Sequence, residues 1–326
     1  MTYRATVELF SGLSIADGLM SRLWRHGGLV FHEAYSFELP AGHRFPMPKF
    51  AALMRHLHAS GLTPLRTAPA PVPVDREALR LAHSASYVDR VLNLALAPEE
   101  QRRLGLPLSP ALVQRARAAV GGTILACRLA LAHGFAANTA GGSHHALRDG
   151  GAGFCVFNDV AVALRTLQAG GEIRRALVVD LDVHQGDGTA EILAGDTELL
   201  TFSVHCRTNF PARKQQSSVD LSLDPGTGDD AYLASLAALL EPLLQRTRPD
   251  LVVYNAGVDP HAADRLGRLA LSDHGLRRRD HMVLSACAAR GLPVAVVVGG
   301  GYDDDLEALV RRHAIVHEVA RELCSR

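Results

Sequence analysis

From about residue 110 onward, short runs of apolar residues alternate with longer helical patterns. The runs are Phe135–Thr139, Ala176–Leu181, Leu199–Val204, Leu251–Tyr254 and Pro293–Val298. The helix-like segments cover roughly 110–133, 158–168, 229–246, 273–290 and 304–323. A strand with one wet face alternates polar and apolar residues. These runs have almost no polar side, so both of their faces must be covered. Strands of that kind joined through helices form a parallel sheet. The pattern therefore predicts an α/β fold, a single-domain open parallel sheet with helices on both faces.

Composition agrees with a large buried core and narrows the partners. The chain has 326 residues, 48% of them hydrophobic, and a formal net charge of zero, so it lacks the footprint of a nucleic-acid binder. Its basic residues are almost all arginine, with lysine only at Lys49 and Lys214. Cys127, Cys155, Cys206, Cys287 and Cys324 are odd in number and contain no C-x-x-C pair, which points to free thiols in a reducing compartment. No stretch has the length of a membrane span, and no basic segment precedes an apolar one at the N-terminus. The expected setting is cytoplasmic. Residues 1–27 read as an N-terminal extension in which Leu13, Ile15, Leu19, Leu23 and Trp24 form one side of a short amphipathic helix.

The apolar run at 176–179 ends in Asp180-Leu181-Asp182-Val183-His184. Alternate side chains of a strand point the same way. Two carboxylates and an imidazole would then crowd together and resist desolvation unless a cation or hydrogen bonds compensate. The other runs also end in polar clusters. Gly141-Gly142-Ser143-His144-His145 follows the first, Asn255-Ala256-Gly257-Val258-Asp259 the fourth and Gly299-Gly300-Gly301-Tyr302 the last. In open parallel sheets, ligands bind outside the carboxyl ends of the strands. Singly, each cluster has a bland explanation: a solvated histidine pair, an Asp259 helix cap, a packing tyrosine. Jointly they are hard to obtain from structural needs.

Two carboxylates and one imidazole suit Zn²⁺ or another first-row divalent ion, with positions left open for water and substrate. A histidine pair beside such an ion is equipment for activating water. Asp180 and Asp187 are available as carboxylates behind the imidazoles. Tyr302 can donate its O–H to a developing oxyanion. The chemistry indicated is metal-assisted hydrolysis of an amide.

These residues resemble the zinc-dependent histone deacetylase family, which has the arginase–deacetylase fold. The matching segments are GGSHHA (141–146), GFCVFND (153–159), DLDVHQGDGT (180–189), NAGVD (255–259) and GGGY (299–302). PAGHRFPMPKF (40–50), RRLGLPLSP…GGTI (102–124), HQGDGT (184–189) and VVYNAGVDPHAADRLGRL (252–269) are similar to the class IV branch and its bacterial relatives. The likeness runs from about residue 28 to the C-terminus, which implies a deacetylase catalytic domain over 28–326. It implies Asp182, His184 and Asp259 as metal ligands, Zn²⁺ or Fe²⁺. His145 would be general base and later acid, and His144 its electrostatic partner, with Asp180 and Asp187 behind them. Tyr302 would polarise the substrate carbonyl, and Gly153, Phe154 and Phe210 would wall an acyl-lysine channel. A structural K⁺ would use Asp180, Ser203 and the backbone carbonyls of Asp182, His184 and Val204.

The expected substrate is an acyl-lysine in a protein or peptide. Three alternatives remain. One is deacylation of a small molecule such as an acetylpolyamine, although no acidic rim loop can be placed. Asp303, Asp304 and Asp305 read instead as acids opening the last helix. Another is an inactive binding module, which the complete residue set disfavours. The third is a binuclear manganese ureohydrolase, which needs more metal-facing carboxylates.

Overall fold

The computed structural model describes residues 28–62 and 70–325; the N-terminal extension and its expected helix lie outside them. Seven strands form one sheet, all neighbours parallel, in the order β1-β2-β7-β6-β3-β4-β5. They are β1 Gly28–Val30, β2 Phe135–Asn138, β3 Ala176–Asp180, β4 Leu199–Cys206, β5 Val219–Leu223, β6 Leu251–Asn255 and β7 Val294–Val297. Every residue of β2, β3, β6 and β7 is buried, so both faces of the central strands are covered. Burying each such Val or Leu contributes roughly 1.5–3 kcal/mol. The parallel α/β architecture expected from the apolar runs is the one observed.

The covering helices fall into two sets. Helix α5 (Pro110–His133) packs on β1, β2 and β7 and on α6 (Asp159–Ala169). On the other side of the helix contacts, α8 (Asp229–Thr247), α9 (Asp273–Ala288) and α10 (Leu306–Cys324) pack in succession, and α10 meets α1 (Lys49–Ala59). Shorter helices α2 (Arg76–Arg80), α3 (Ala85–Leu92) and α4 (Pro98–Leu104) precede α5, and α7 (Asp187–Ile192) follows β3. Helix α10 starts behind Asp305, whose side chain accepts from the amides of Glu307 and Ala308, as helix-opening acids do.

The fold differs from the sequence expectation at its margins. Strands β1 and β5 are additional, and both are edges of the sheet. In β5 the exposed Asp220 and Ser222 alternate with the partly buried Val219 and Leu221 and the buried Leu223, because an edge strand is covered on one side only. Strand β3 ends at Asp180, one residue before the end of its apolar run. The alternation that would align Asp180, Asp182 and His184 therefore stops where the chain leaves the sheet.

Candidate active site

What replaces the strand after Asp180 is a pair of turns built by its own carboxylates. Asp180 Oδ1 accepts from the Asp182 amide at 3.2 Å, and Asp182 Oδ1 accepts from the His184 amide at 3.0 Å. Aspartate favours such turns because its short side chain reaches the backbone two residues on. The turns separate the trio. Asp180 faces a histidine, while Asp182 and His184 face Asp259, delivered by the loop after β6. His184 Nδ1 lies 3.0 Å from one oxygen of each aspartate. One ligand atom from each of the three falls within 4.8 Å of the others, and all three residues are buried. Two carboxylate oxygens and an imidazole nitrogen converging there make a donor set suited to a divalent cation. His184 is lifted to about 10: burial opposes this, but the hydrogen bonds and charges of both aspartates outweigh it. The proton it holds sits where positive charge is wanted.

Backbone donors hold these carboxylates from behind. Asp259 Oδ1 accepts from the Val183 amide at 2.8 Å, and Asp182 Oδ2 from the Gly300 amide at 2.7 Å. A Cβ at Gly300 would overlap Asp259 Oδ2 and lie 2.7 Å from Asp182 Oδ2. Only glycine lets the backbone come this close. Beneath the same loops, the fully buried Arg279 donates to the Gly257 carbonyl at 2.6 Å and the Leu181 carbonyl at 3.3 Å.

The histidine pair sits beside this cluster on the loop after β2. His144 Nδ1 is 2.7 Å from Asp180 Oδ2, and His145 Nδ1 is 2.6 Å from Asp187 Oδ1. A carboxylate can only accept, so each Nδ1 carries a proton and each Nε2 faces away from its aspartate. Buried Asp159 sets the loop, accepting from the amides of Gly142 at 3.1 Å and Ser143 at 2.7 Å. Although their partners look alike, the two imidazoles are driven apart. Burial opposes the charged form of His144, but the carboxylates of Asp180 and Asp182 lift it to about 9. Burial and the neighbouring His144 charge lower His145 to about 4. The pair therefore holds one cationic and one neutral ring, 4.2 Å apart.

Tyr302 arrives on the loop after β7, its amide donating to Asp264 Oδ2 at 2.7 Å. Its ring stands edge-on to His184 at 6.3 Å. Burial and the charges of Asp182 and Asp259 push its phenol well above the usual range, so it stays an O–H donor. Above these groups opens a cleft of about 350 Å³ whose lining includes His145, His184 and Tyr302, with Gly153, Phe154 and Phe210 among its walls. Phe154 has φ 68°, a left-handed conformation costing about 1–3 kcal/mol in a non-glycine residue. It is held by Phe154 N–H donating to Leu104 O at 2.8 Å and Gly153 N–H to Arg103 O at 3.3 Å. Phe210 stands edge-on to His145 at 4.7 Å and remains 45% exposed. Asp180 and Ser203 are paired across β3 and β4, and Ser203 Oγ lies 3.0 Å from His205 Nδ1.

The histone deacetylase domain family matches residues 43–317 of the sequence. The chain belongs to that family. A histone deacetylase-like amidohydrolase of Pseudomonas aeruginosa is 33% identical over 283 residues, covering 81% of this chain and 73% of that one. An uncharacterized protein of Picosynechococcus sp. is 51% identical over 295 residues, 90% of this chain and 98% of its own. Among solved structures, the HDA15 HD domain superposes with a TM-score of 0.76 at 23% identity, covering 93% of this chain and 89% of that one. With the single parallel sheet, this places the fold in the arginase–deacetylase class. Histone deacetylases act on acylated substrates, are generally metal-dependent, and are hydrolases.

The roles of both lysines, among other residues beneath the site, escaped the sequence reading. Lys49 is 1% exposed, and its Nζ donates to the carbonyls of Gly299 at 3.1 Å and Gly301 at 3.4 Å, beneath the loop that carries Tyr302. Lys214 donates to the carbonyls of Asn209 and Pro211, each at 2.6 Å, on the loop that carries Phe210. A signal was present: a chain that uses arginine almost everywhere keeps lysine at two positions, and both lysines tether a wall of the cleft. An ammonium is a compact three-donor group on a flexible stem, whereas the guanidinium fork is larger and planar.

Proposed function

We propose that the protein is a metal-dependent amide hydrolase that removes acyl groups, acetyl or longer, from lysine side chains. The observation that carries this reading is the pair of His–Asp couples opening onto a buried two-carboxylate, one-imidazole cluster at the foot of an aromatic-walled cleft. Titratable neighbours driven apart, as His144 and His145 are, divide electrostatic and base roles between them. The likeness to class IV enzymes in PAGHRFPMPKF supports the same assignment.

Asp182, His184 Nδ1 and Asp259 would hold the metal, which we assign as Zn²⁺ with Fe²⁺ as the alternative. When bound, the ion supplies Lewis acidity to the acyl carbonyl and acidifies a water. His145 takes that water's proton at Nε2, its Nδ1 being committed to Asp187. His144 holds its positive charge beside the reacting centre. Tyr302 donates its O–H to the carbonyl oxygen as negative charge develops there. The histidine pair then returns a proton to the departing lysine amine. Gly153, Phe154 and Phe210 flank the acyl-lysine stem and limit water. A K⁺ held by Asp180, Ser203 and the carbonyls of Asp182, His184 and Val204 would brace the same strand ends, with Asp180 linking it to His144.

The test is a panel of peptides carrying acetyl- to myristoyl-lysine, run beside an acetylpolyamine and with a hydroxamate inhibitor. Turnover of at least one peptide, blocked by the hydroxamate, is expected. Turnover confined to the polyamine, or indifference to hydroxamate at high concentration, would overturn the reading.

A further inference from the structure

The mouth of the cleft has a charge of its own. Four arginines line it: Arg44 from the loop before α1, Arg102 and Arg103 from the end of α4, and Arg268 from the loop after β6. All four are exposed, and no aspartate or glutamate is among the lining residues. Elsewhere this chain pairs many arginines with acids, as in Arg128–Glu172 at 2.6 Å and Arg277–Glu318 at 2.8 Å. At the mouth, Arg102 approaches the exposed Glu99 only at 3.9 Å, and Arg103 donates to the Gly151 carbonyl. Arg44 and Arg268 have no carboxylate partner among the described residues. Helix C-termini favour cations, which accounts for Arg102 and Arg103. It does not account for Arg44 and Arg268, which come from separate loops to the same opening.

The cleft floor does not cancel this charge. Asp182 and Asp259 are buried and face His184 and the proposed metal position, not the solvent at the mouth. A substrate approaching within a Debye length of roughly 8 Å at physiological salt therefore meets a cationic collar. Building on the deacylase reading, we infer that the preferred substrate carries carboxylates next to the acylated amine: an acyl-lysine flanked by acidic residues, or a small acylamine bearing a free acid. The collar repels the flanks of a lysine- and arginine-rich tail and repels acetylpolyamines.

The experiment uses three acetyl-lysine peptides identical except that the two residues on each side are all Glu, all Gln or all Lys. Nε-acetyl-lysine with a blocked α-amine, as the free acid and as the amide, tests the small-molecule source. The expected order of kcat/KM is Glu above Gln above Lys, with about tenfold or more between the extremes at low salt, shrinking as salt rises. An Arg44→Glu and Arg268→Glu double variant leaves Arg102 and Arg103 opposed by two carboxylates and should flatten the order. Equal turnover of all three peptides by the wild type, or a preference for Lys flanks, overturns the collar and leaves the deacylase reading standing. If neither these peptides, nor their longer-acyl counterparts up to myristoyl-lysine, nor the small acid is turned over, the deacylase reading falls. Fluorescence anisotropy with the same peptides, on protein carrying Tyr302→Phe, then decides the collar: tighter binding of the Glu peptide sustains it, and charge-blind binding overturns it.

Discussion

The floor and the mouth of the cleft are opposite in charge, burial and construction. The floor gathers Asp180, Asp182, Asp187 and Asp259, all buried, and each carboxylate is bound by imidazoles or backbone amides. The mouth gathers Arg44, Arg102, Arg103 and Arg268, all exposed and nearly free of partners. Charge buried with fixed partners cannot be removed without leaving those partners unsatisfied, so changes there are severe. Charge in solvent is screened and replaceable, so changes there are mild and depend on salt. If the proposed roles hold, a protein built this way separates its chemistry from its selectivity.

The hardest test of that separation is Asp259→Asn, which keeps the shape of the side chain and removes its charge. Losing a residue that only supports a metal ligand typically costs 10–100-fold in metal affinity. Losing a direct ligand should cost more than about 100-fold, and turnover should fall with it. Metal analysis after gel filtration checks this. A variant that retained stoichiometric metal and ordinary turnover would remove Asp259 from the site. Next in size is Tyr302→Phe. In the proposed mechanism its O–H donates to the carbonyl oxygen as negative charge develops, so kcat should drop about 100-fold or more. Metal content should be unchanged, because Tyr302 is not in the ligand cluster.

Behind the histidine loop, His83 links floor to scaffold and makes the site's stability depend on acid. Its Nδ1 donates to the Leu147 carbonyl at 2.9 Å and its Nε2 accepts from the Asn158 amide at 2.9 Å. Those bonds need the neutral ring. Burial is the largest influence, and it lowers the group from 6.5 to about 4. The unfolded chain therefore binds a proton at higher pH than the folded one does. The contribution is full above pH 6.5 and is lost as pH falls from 6.5 through 4, on the order of 3 kcal/mol in all. Denaturant melts from pH 7 to pH 4.5 should show a steeper loss in wild type than in His83→Gln. Equal slopes would show that His83 does not control this limb.

The same contrast explains what the sequence made legible. The central strands were readable because burial on both faces leaves near-continuous apolar runs, as in Leu177-Val178-Val179. Strands β1 and β5 were not, because an edge of three residues, or one that alternates as V-D-L-S-L, has no such signature. Residues that the site assembles from strand ends stood out through their chemistry: carboxylates and imidazoles after apolar runs. Those that work by packing beneath the site did not. Arg279 reads as one of three consecutive arginines on a helix, and nothing local says that its side chain alone is buried under two loops. The collar was hidden for the same reason. Arg44 and Arg268 are 224 residues apart in sequence and meet only through the fold.

Lys49 tests where the floor ends. Its ammonium joins the Tyr302 loop to helix α1 through two carbonyls and lies 5.6 Å from the Tyr302 ring centroid. Burial is the largest influence on it and lowers it to about 8, with the Asp259 and Asp182 carboxylates opposing that shift. Lys49→Met keeps the stem and deletes the donors, leaving the Gly299 and Gly301 carbonyls without this partner. Small displacements of a positioned group can cost up to about 100-fold. Because the glycine loop retains its other hydrogen bonds, a loss of about tenfold in kcat is expected, with KM for Glu-flanked and Lys-flanked peptides changing in parallel. Lys49→Arg should not rescue fully, since a planar guanidinium fork does not reproduce the compact ammonium's two bonds to the Gly299 and Gly301 carbonyls.

The smallest effect belongs to the mouth. Arg102→Ala removes a solvated charge that its own helix end already tolerates, and it should lower kcat/KM for the Glu-flanked peptide only about two- to threefold at low salt. The diagnostic is the salt dependence. Near 0.5 M salt the Debye length shrinks to roughly 4 Å, and variant and wild type should converge. A defect that persisted there would mean Arg102 contacts substrate directly, and the division between a chemical floor and an electrostatic mouth would have to be redrawn one helix turn higher.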